Sequence, residues 1–320
     1  MSRSGKEYFY WAYGINIGSQ VRLPDLIETA SAPDVRIRYG KVTDSRLLGS
    51  LLARSETFLR PGCKIVAGPA AMCINWERVG TFLVHHGSEV IIEPDPNACA
   101  EDLHPFLTGP VLSVLLHQRG LFVLHASAVV IKDFAVGFLG AKGDGKSTLA
   151  AHLQVRGHKL IADDIVPVDL ANEKPVVVAG FPRIKLYRDS IEAVGREPAN
   201  FPVIHRFVDK RSFQHSRELS MEPIRLHSLY VLSEDQEVGL EKLAHLPAFI
   251  EMARHTYINR YLKALNCESQ HFQQCEKLVQ KVPVWKLNRP RDFSLMNDVC
   301  GLLEDHISRS DAMAEPAIVS

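Results

Sequence analysis

The 320-residue chain, with 46% hydrophobic and 23% charged side chains, has the composition of an ordinary folded protein of one large domain or two moderate ones. Collagen, coiled coil and intrinsic disorder are excluded on the same grounds. The 37 basic side chains balance the 37 acidic ones, so there is no global basic field to attract nucleic acid or anionic lipid, and neither partner is expected. Binding is therefore predicted to come from a defined site.

Cysteine spacing and the amino-terminal residues indicate the cellular compartment in which the protein is expected. The six cysteines are scattered, and no two form the C-x-x-C pair of a zinc or thioredoxin-type site, so reduced structural thiols are expected. Residues 1–6 lead into aromatic and polar residues instead of the apolar core of a secretory signal. No run approaches the roughly 20 apolar residues of a membrane span. The resulting expectation is a cytoplasmic protein.

The first hundred residues carry short alternating runs bounded by Gly, Pro and Asp, a pattern typical of β-strands. Strands are predicted at 35–39, 64–67, 72–76, 81–85 and 89–93. A helix is then expected over 99–117, broken near Gly109-Pro110 because proline lacks a backbone N–H. The sequence predicts a β-rich amino-terminal domain over 1–108 and a second, nucleotide-binding domain over 109–320.

A glycine-rich stretch follows the first apolar runs of the second domain. The runs 121–131 and 134–139, joined by Lys132-Asp133, predict a hairpin. Residues 140–147 then fit G-x-x-x-x-G-K-[ST], and a helix is predicted over 148–156 with Gly157 as its left-handed cap. In a strand, loop and helix of this kind, backbone N–H groups converge on phosphate oxygens. The alternative is a glycine-rich surface turn.

Each residue type in this loop has an expected task. Gly143 and Gly145 let the backbone turn and approach phosphate closely, Lys146 is placed to bridge the β- and γ-phosphates, and the Ser147 hydroxyl is placed to ligate Mg²⁺. The expected cofactors are ATP, or another nucleoside triphosphate, and Mg²⁺. The predicted nucleotide-binding residues of this segment are Gly140, Ala141, Lys142, Gly143, Asp144, Gly145, Lys146, Ser147 and Thr148.

Two aspartates follow a short strand predicted at 159–162. Asp164 comes 18 residues after Lys146, which leaves room for one helix and one strand. A right-handed crossover would lay this strand parallel to 134–139, with both strands ending on one edge of the sheet. Asp163 and Asp164 would then stand beside the phosphates, ionised at neutral pH and able to hold Mg²⁺ or accept a hydroxyl proton. The alternative is a pair of turn or capping aspartates.

Other candidates carry weaker signals. His125 lies on the preceding strand, and the hairpin would return it toward the loop, although an isolated strand histidine is also typical of a hydrogen-bonded structural residue. Phosphoryl transfer needs positive charge, for which Lys210 with Arg211 is one candidate pair and Arg183 with Lys185 another. Exposed surface charge is the alternative for both pairs. Toward the carboxyl terminus the sequence predicts a strand at 225–233 and helices at 249–265 and 294–307.

The run from His125 through the glycine-rich loop to the segment R-G-H-K-L-I-A-D-D at 156–164 resembles the kinase core of HPr kinase/phosphorylase. That family is related in fold to ATP-dependent phosphoenolpyruvate carboxykinase. The resemblance implies an α/β fold, with a P-loop core of mixed sheet and flanking helices. It also implies a seryl protein kinase in which Lys146 contacts phosphate, Ser147 binds Mg²⁺, Asp164 accepts the hydroxyl proton and His125 assists.

The resemblance weakens after Asp164. The family's segment with a metal-binding glutamate is replaced by residues 181–189, where Asp189 is the candidate second metal ligand. The first hundred residues resemble shorter homologues, some of which phosphorylate the carboxy-terminal serine of lasso-peptide precursors. The expected partners are therefore a nucleotide and a peptide or protein with an acceptor serine, and the family favours a homo-oligomer. A small-molecule kinase and a nucleotide-sensing module without turnover are the alternatives.

Overall fold

The computed structural model describes residues 6–42, 55–181, 183–205, 208–213 and 221–314. Within these ranges the chain forms two nine-stranded sheets and a three-stranded sheet, with helices packed against them. The predicted α/β class with mixed sheets and flanking helices is confirmed. No helix in these ranges combines the length and apolar character needed to cross a bilayer.

The first sheet is built entirely from the amino-terminal strands, in the order β3-β1-β2-β4-β9-β8-β7-β6-β5. Its strands are β1 Tyr8–Ala12, β2 Ile15–Ser19, β3 Ile27–Glu28, β4 Val35–Tyr39, β5 Glu56–Arg60, β6 Cys63–Gly68, β7 Ala71–Trp76, β8 Gly80–His85 and β9 Glu89–Pro94. The five predicted strands are present as β4 and β6 to β9. In β6, exposed Lys64 precedes buried Ile65, and this alternation turns one face of the strand to the core.

A broken helix connects the two large sheets. It consists of α1 (Ala100–Phe106), a π-helical turn (Leu107–Val111) and α2 (Leu112–Gln118). Gly109, with φ −119° and ψ −110°, interrupts the helical backbone beside Pro110, as predicted. One buried apolar cluster extends from Tyr10 in the first sheet to Val284 in the second. The domain boundary after residue 108 falls inside the π-helical turn and stays a prediction.

The second sheet has the order β10-β14-β15-β19-β12-β11-β13, with β21 beside β19 and β20 beside β21. Its strands are β10 Phe122–Leu124, β11 Ala126–Ile131, β12 Phe134–Leu139, β13 Lys159–Asp163, β14 Val166–Asp169, β15 Val176–Val177, β19 Ile224–Glu234, β20 Gly239–Lys242 and β21 Val284–Arg289. The small sheet, ordered β16-β18-β17, consists of β16 Ile184–Tyr187, β17 Val203–His205 and β18 Val208–Phe213.

The predicted hairpin and crossover are present, but β11 lies between the two strands that the crossover joins. β11 and β12 pair antiparallel from Ile131↔Phe134 to Ala126↔Leu139. The run 121–131 is two strands, because the chain leaves the line of β10 at His125 and β10 pairs with β14 instead. β13 pairs antiparallel with β11, so β13 and β12 run in the same direction with β11 between them. Their carboxyl ends therefore lie on the same edge of the sheet.

The helices after the hairpin are α3 (Lys146–Val155), α4 (Arg188–Ala193), α5 (His245–His255), α6 (Glu268–Lys281) and α7 (Met296–Ala314). Gly157, with φ +101°, follows α3 in the left-handed region as predicted. The single helix predicted over 249–265 is wrong, because α5 ends at His255 and Thr256 is extended. Thr256 forms a β-bridge with Leu124, and these strand contacts take the place of another helical turn. The predicted strand at 225–233 is present as β19.

An ion pair that joins the end of α3 to α7 gives a pH-dependent contribution to stability. Glu304 accepts hydrogen bonds from Arg156 at 2.9 and 2.6 Å and lies 2.8 Å from the His158 ring. The bonds from Arg156 lower the pKa of Glu304 to about 2. Because this pKa lies below the unfolded value of about 4.3, the contribution is complete above about pH 5 and is lost as the pH falls toward 2.

We therefore expect Glu304→Gln to lower the free energy of unfolding by about 1 kcal/mol at neutral pH, since solvent screens a partly exposed pair. The difference from the unsubstituted protein should shrink as the pH falls below about 4. Urea unfolding across this pH range measures it, with exposed Glu241→Gln as the matched control. A difference that stays constant down to about pH 2.5 would contradict the ion-pair explanation.

Candidate active site

The glycine-rich loop lies between the buried strand β12 and helix α3. Gly143 and Gly145 have φ of +98° and +88°, a backbone region that side chains other than glycine rarely adopt. A Cβ on Gly145 would also approach Nη2 of Arg289 to 2.5 Å. The loop forms one wall of a cavity of about 310 Å³, which is within the size range of small-ligand sites.

Lys146 is the first residue of α3 and lies under the loop. Its side chain is 7% exposed, and its Nζ donates hydrogen bonds to the carbonyl oxygens of Gly140 at 2.8 Å and Ala141 at 3.0 Å. Burial lowers the pKa of Lys146, and nearby carboxylates, Asp163 first among them, offset part of that effect. The loop therefore holds a buried ammonium at the cavity wall.

Asp163 is the last residue of β13, and its hydrogen bonds link this strand to the glycine-rich loop. Its Oδ1 accepts hydrogen bonds from the hydroxyls of Ser147 at 2.8 Å and Ser127 at 2.6 Å, and its Oδ2 accepts one from the Lys185 N–H at 3.1 Å. A hydroxyl beside one carboxylate fits Mg²⁺, which in nucleotide sites takes one or two carboxylates together with phosphate oxygens and water. No group of three His, Cys, Asp or Glu residues in the described parts of the chain is arranged to hold a metal by itself.

Asp164 faces the cavity from the end of β13. Its Oδ1 lies 3.1 Å from Nδ1 of His125, and its Oδ2 lies 3.5 Å from Nζ of Lys185. Burial acts to raise the pKa of Asp164, but the Lys185 ammonium and the hydrogen bond from His125 outweigh it and hold the pKa well below its usual range. Asp164 also has φ +73°, a strained backbone of the kind that clusters at functional sites.

The predicted residues divide into those that line this cavity and those that do not. The predicted residues that line it are His125, Lys142, Gly143, Asp144, Gly145, Lys146, Ser147, Thr148, Asp163, Asp164, Asp189 and Lys210. Gly140 and Ala141 line a different cavity of about 420 Å³, which Asp144 also lines. Asp189, at the start of α4, accepts a 2.6 Å hydrogen bond from the Ser190 N–H, and its metal role stays a prediction.

Each of the two predicted basic pairs contributes one lysine to the lining of the cavity. Lys210 and Lys185 line the cavity, and Nζ of Lys210 lies 4.8 Å from the ring centroid of Tyr187. Arg211 does not line the cavity, and its Nη1 donates to the carbonyl oxygen of Phe201 at 2.9 Å. Arg183 forms an ion pair with Asp25 at the amino-terminal side of the molecule. The nucleotide-binding role predicted for Arg211 is therefore not supported by its position.

Two arginines that the sequence reasoning did not select also reach the loop. Arg289 is 6% exposed, and its Nη2 donates to the carbonyl oxygen of Asp144. Nη2 of Arg291 lies 3.3 Å from Oδ1 of Asp144. β21 runs parallel to β19, and β19 runs parallel to β12, so the end of β21 lies at the loop edge of the sheet. The available signal was a pair of arginines at the end of a strand, in Asn288-Arg289-Pro290-Arg291.

Replacing Arg289 should loosen the loop. We expect Arg289→Met to weaken nucleotide binding about tenfold, because a buried hydrogen bond from a charged donor to the loop backbone contributes about 1.5–3 kcal/mol. Arg291→Met is the matched control with a smaller expected effect, since the Arg291 side chain is 60% exposed. Titration calorimetry with ATP and Mg²⁺ measures both affinities. Equal losses in the two variants would show that burial of Arg289 does not matter.

Comparisons with known proteins point to one family. Segments of this chain are 39% identical over 56 residues to HPr kinase/phosphorylase from Chlorobium phaeobacteroides and 40% identical over 60 residues to that from Geobacter sulfurreducens. A third match is 40% identical over 72 residues to HPr kinase/phosphorylase from Lactobacillus acidophilus. The chain contains an HPr kinase-like segment. The resemblance to the HPr kinase family predicted from the sequence is thereby confirmed.

The HPr kinase matches cover only part of each protein. They span 18 to 22% of this chain and 16 to 22% of the relatives, so the chain spans about a fifth of the length of the curated relatives it matches. No family model matches the chain. Among solved structures, the Hpr(Ser) kinase/phosphatase from Coxiella burnetii aligns with 59% of this chain and 98% of its own, with 14% identity and a TM-score of 0.32.

Proposed function

We propose that this protein is a Mg²⁺-dependent kinase that transfers the γ-phosphoryl group of ATP to a serine hydroxyl of a peptide or protein. The observation that carries the proposal is the sharing of one cavity by two sets of groups. Lys146, Ser147 and Asp163 suit a Mg²⁺-bound triphosphate, and Asp164 is a carboxylate held ionised on the same cavity wall. The HPr kinase-like segment supports the same reaction class.

On the donor side, the loop and its lysine bind the triphosphate. Lys146 would exchange the carbonyl oxygens of Gly140 and Ala141 for phosphate oxygens, which are stronger acceptors because they are charged. Ser147 and Asp163 would hold Mg²⁺, which offsets negative charge on the transferring group when it is bound. Lys185 and Lys210, which both line the cavity, would add positive charge near that group.

On the acceptor side, Asp164 orients the attacking alcohol. The serine oxygen forms a bond to the γ-phosphorus, the bond from that phosphorus to the bridging oxygen of ADP breaks, and the hydroxyl proton passes to Asp164 and then to solvent. His125 and Lys185 each contact one oxygen of the Asp164 carboxylate and thereby fix its orientation. A carboxylate whose pKa is held low is a weak base, so most of its contribution comes from orientation of the nucleophile.

The finer choice of acceptor rests on the sequence resemblance. The branch with a short amino-terminal region implies the carboxy-terminal serine of a lasso-peptide precursor, and we propose this as the first acceptor to test. A small-molecule alcohol would use the same triphosphate-binding residues, because those residues would contact the nucleotide and not the acceptor.

The direct test is to incubate the purified protein with ATP, Mg²⁺ and serine-containing peptides, including a lasso-peptide precursor, and to measure added phosphate by mass spectrometry. We expect a peptide product that needs both ATP and Mg²⁺ and that disappears when the serine is replaced by alanine. A phosphorylated small alcohol without any peptide product would change the acceptor class. Tight nucleotide binding without any product would contradict the kinase proposal.

A further inference from the structure

An apolar slot of about 230 Å³ opens next to the candidate active site. Its apolar walls come from the first sheet, the broken helix and the small sheet, namely Trp76, Pro105, Phe106, Pro110 and Ile204. Two lysines, Lys185 and Lys210, complete the lining. The slot therefore lies where the amino-terminal sheet meets the nucleotide-binding half of the molecule.

The slot adjoins the catalytic cavity. Lys185 and Lys210 line both spaces. Pro110 follows Gly109, and a Cβ placed on Gly109 would lie 3.8 Å from both Oδ2 of Asp164 and Nζ of Lys185. One wall of the slot is therefore next in sequence to a residue that lies close to the Asp164 carboxylate, which places the slot near an acceptor held by Asp164.

The walls of the slot suit an apolar group. The Trp76 ring packs on Phe106 with centroids 4.6 Å apart and on Phe82 at 5.5 Å, so the aromatic wall is supported from behind. Most of the lining is apolar, and such a space gains free energy when an apolar group replaces water. Because a water molecule takes about 30 Å³ of liquid volume, a slot of 230 Å³ has room for a large side chain.

We propose that this slot binds the apolar side chain of a residue adjacent to the acceptor serine in a peptide substrate. The proposal rests on the proposed function, because Asp164 must hold the serine for its neighbour to reach the slot. The two lysines at the shared boundary exclude a cationic neighbour, since like charges repel. The amino-terminal domain then takes part in choosing the substrate through Trp76.

The test uses peptides of one scaffold with a single serine, in which the residue before or after the serine is leucine, alanine or lysine. Ile204→Asp places a charge in the slot. Val203→Asp is the matched control, because Val203 is 52% exposed on the same strand and does not line the slot. We expect kcat/KM for the leucine peptide to exceed that for the alanine peptide about tenfold, and Ile204→Asp to remove this preference. Ile204→Ala, a milder change, should reduce it.

A second measurement separates the slot from the chemistry. Saturation-transfer NMR with the serine-containing leucine peptide, with ATP omitted so that no phosphate is transferred, should show saturation of the leucine methyl groups by the unsubstituted protein and by Val203→Asp. Ile204→Asp should abolish that saturation. Equal saturation in all three proteins, or no leucine preference in kcat/KM, would overturn the slot proposal. Methyl saturation that depends on Ile204, together with no phosphate transfer to any peptide, supports the slot and overturns the proposed function alone.

Discussion

Replacing Asp164 with asparagine should lower kcat for peptide phosphorylation by about 10²–10⁴-fold and leave ATP affinity within about threefold of its original value. Asparagine keeps the shape and tolerates the left-handed backbone at φ +73°. It removes the charge that faces Lys185 and that, in the proposed reaction, would orient the serine hydroxyl. Steady-state kinetics and calorimetric titration with ATP together separate loss of chemistry from loss of binding.

The pH dependence provides the control for Asp164. Its pKa is held well below the usual range in the folded protein, so the carboxylate stays ionised at neutral and mildly acidic pH. The Asp164→Asn variant should therefore be slower by the same factor at about pH 5 and at about pH 8. Unchanged kcat in the variant, or a defect that vanishes at acidic pH, would remove Asp164 from its assigned role.

The second large effect is expected at Lys146. We expect Lys146→Met to weaken ATP binding by about 10²-fold or more, because phosphate oxygens lose their buried cationic partner. The nucleotide-free variant should be at least as stable as the unsubstituted protein. Burial lowers the pKa of Lys146, which means that the folded protein holds this charge at a cost, and methionine fills similar space without one.

Thermal unfolding with and without ATP and Mg²⁺ measures both parts of this prediction. The unsubstituted protein should gain about 2.7 kcal/mol at a nucleotide concentration 100 times its Kd, whereas Lys146→Met should gain little at the same concentration. Lys174→Met is the control, since Lys174 is an exposed lysine that does not line the cavity. An equal gain in stability with Lys146→Met would show that this lysine does not bind the triphosphate.

Local patterns were enough to predict the elements that carry the donor side. Two apolar runs joined by Lys132-Asp133 predicted the hairpin of β11 and β12, and the glycines at 143 and 145 occupy the positive-φ positions that the loop requires. The spacing between Lys146 and Asp164 predicted that β12 and β13 end on one edge, which holds although β11 lies between them. Each of these features depends on residues close together in sequence.

Features set by contacts between distant segments were not predictable. Arg289 reaches the loop because β21 lies parallel to β19, a pairing between segments more than fifty residues apart. α5 ends at His255 because Thr256 bridges Leu124, whereas the apolar stripe itself continues. Adjacent residues of a strand point to opposite faces, so only one of Lys210 and Arg211 was able to face the cavity, and the sequence does not tell which.

The most direct test of the proposed function is a crystal structure with a non-hydrolysable ATP analogue and Mg²⁺. The triphosphate is expected on the loop 140–147 with Lys146 against its β- and γ-phosphates, and Mg²⁺ would be held by Ser147 and Asp163. Asp164 should face the γ-phosphate with space for a hydroxyl group between them. A nucleotide bound elsewhere, or an Asp164 carboxylate turned away from the γ-phosphate, would contradict it.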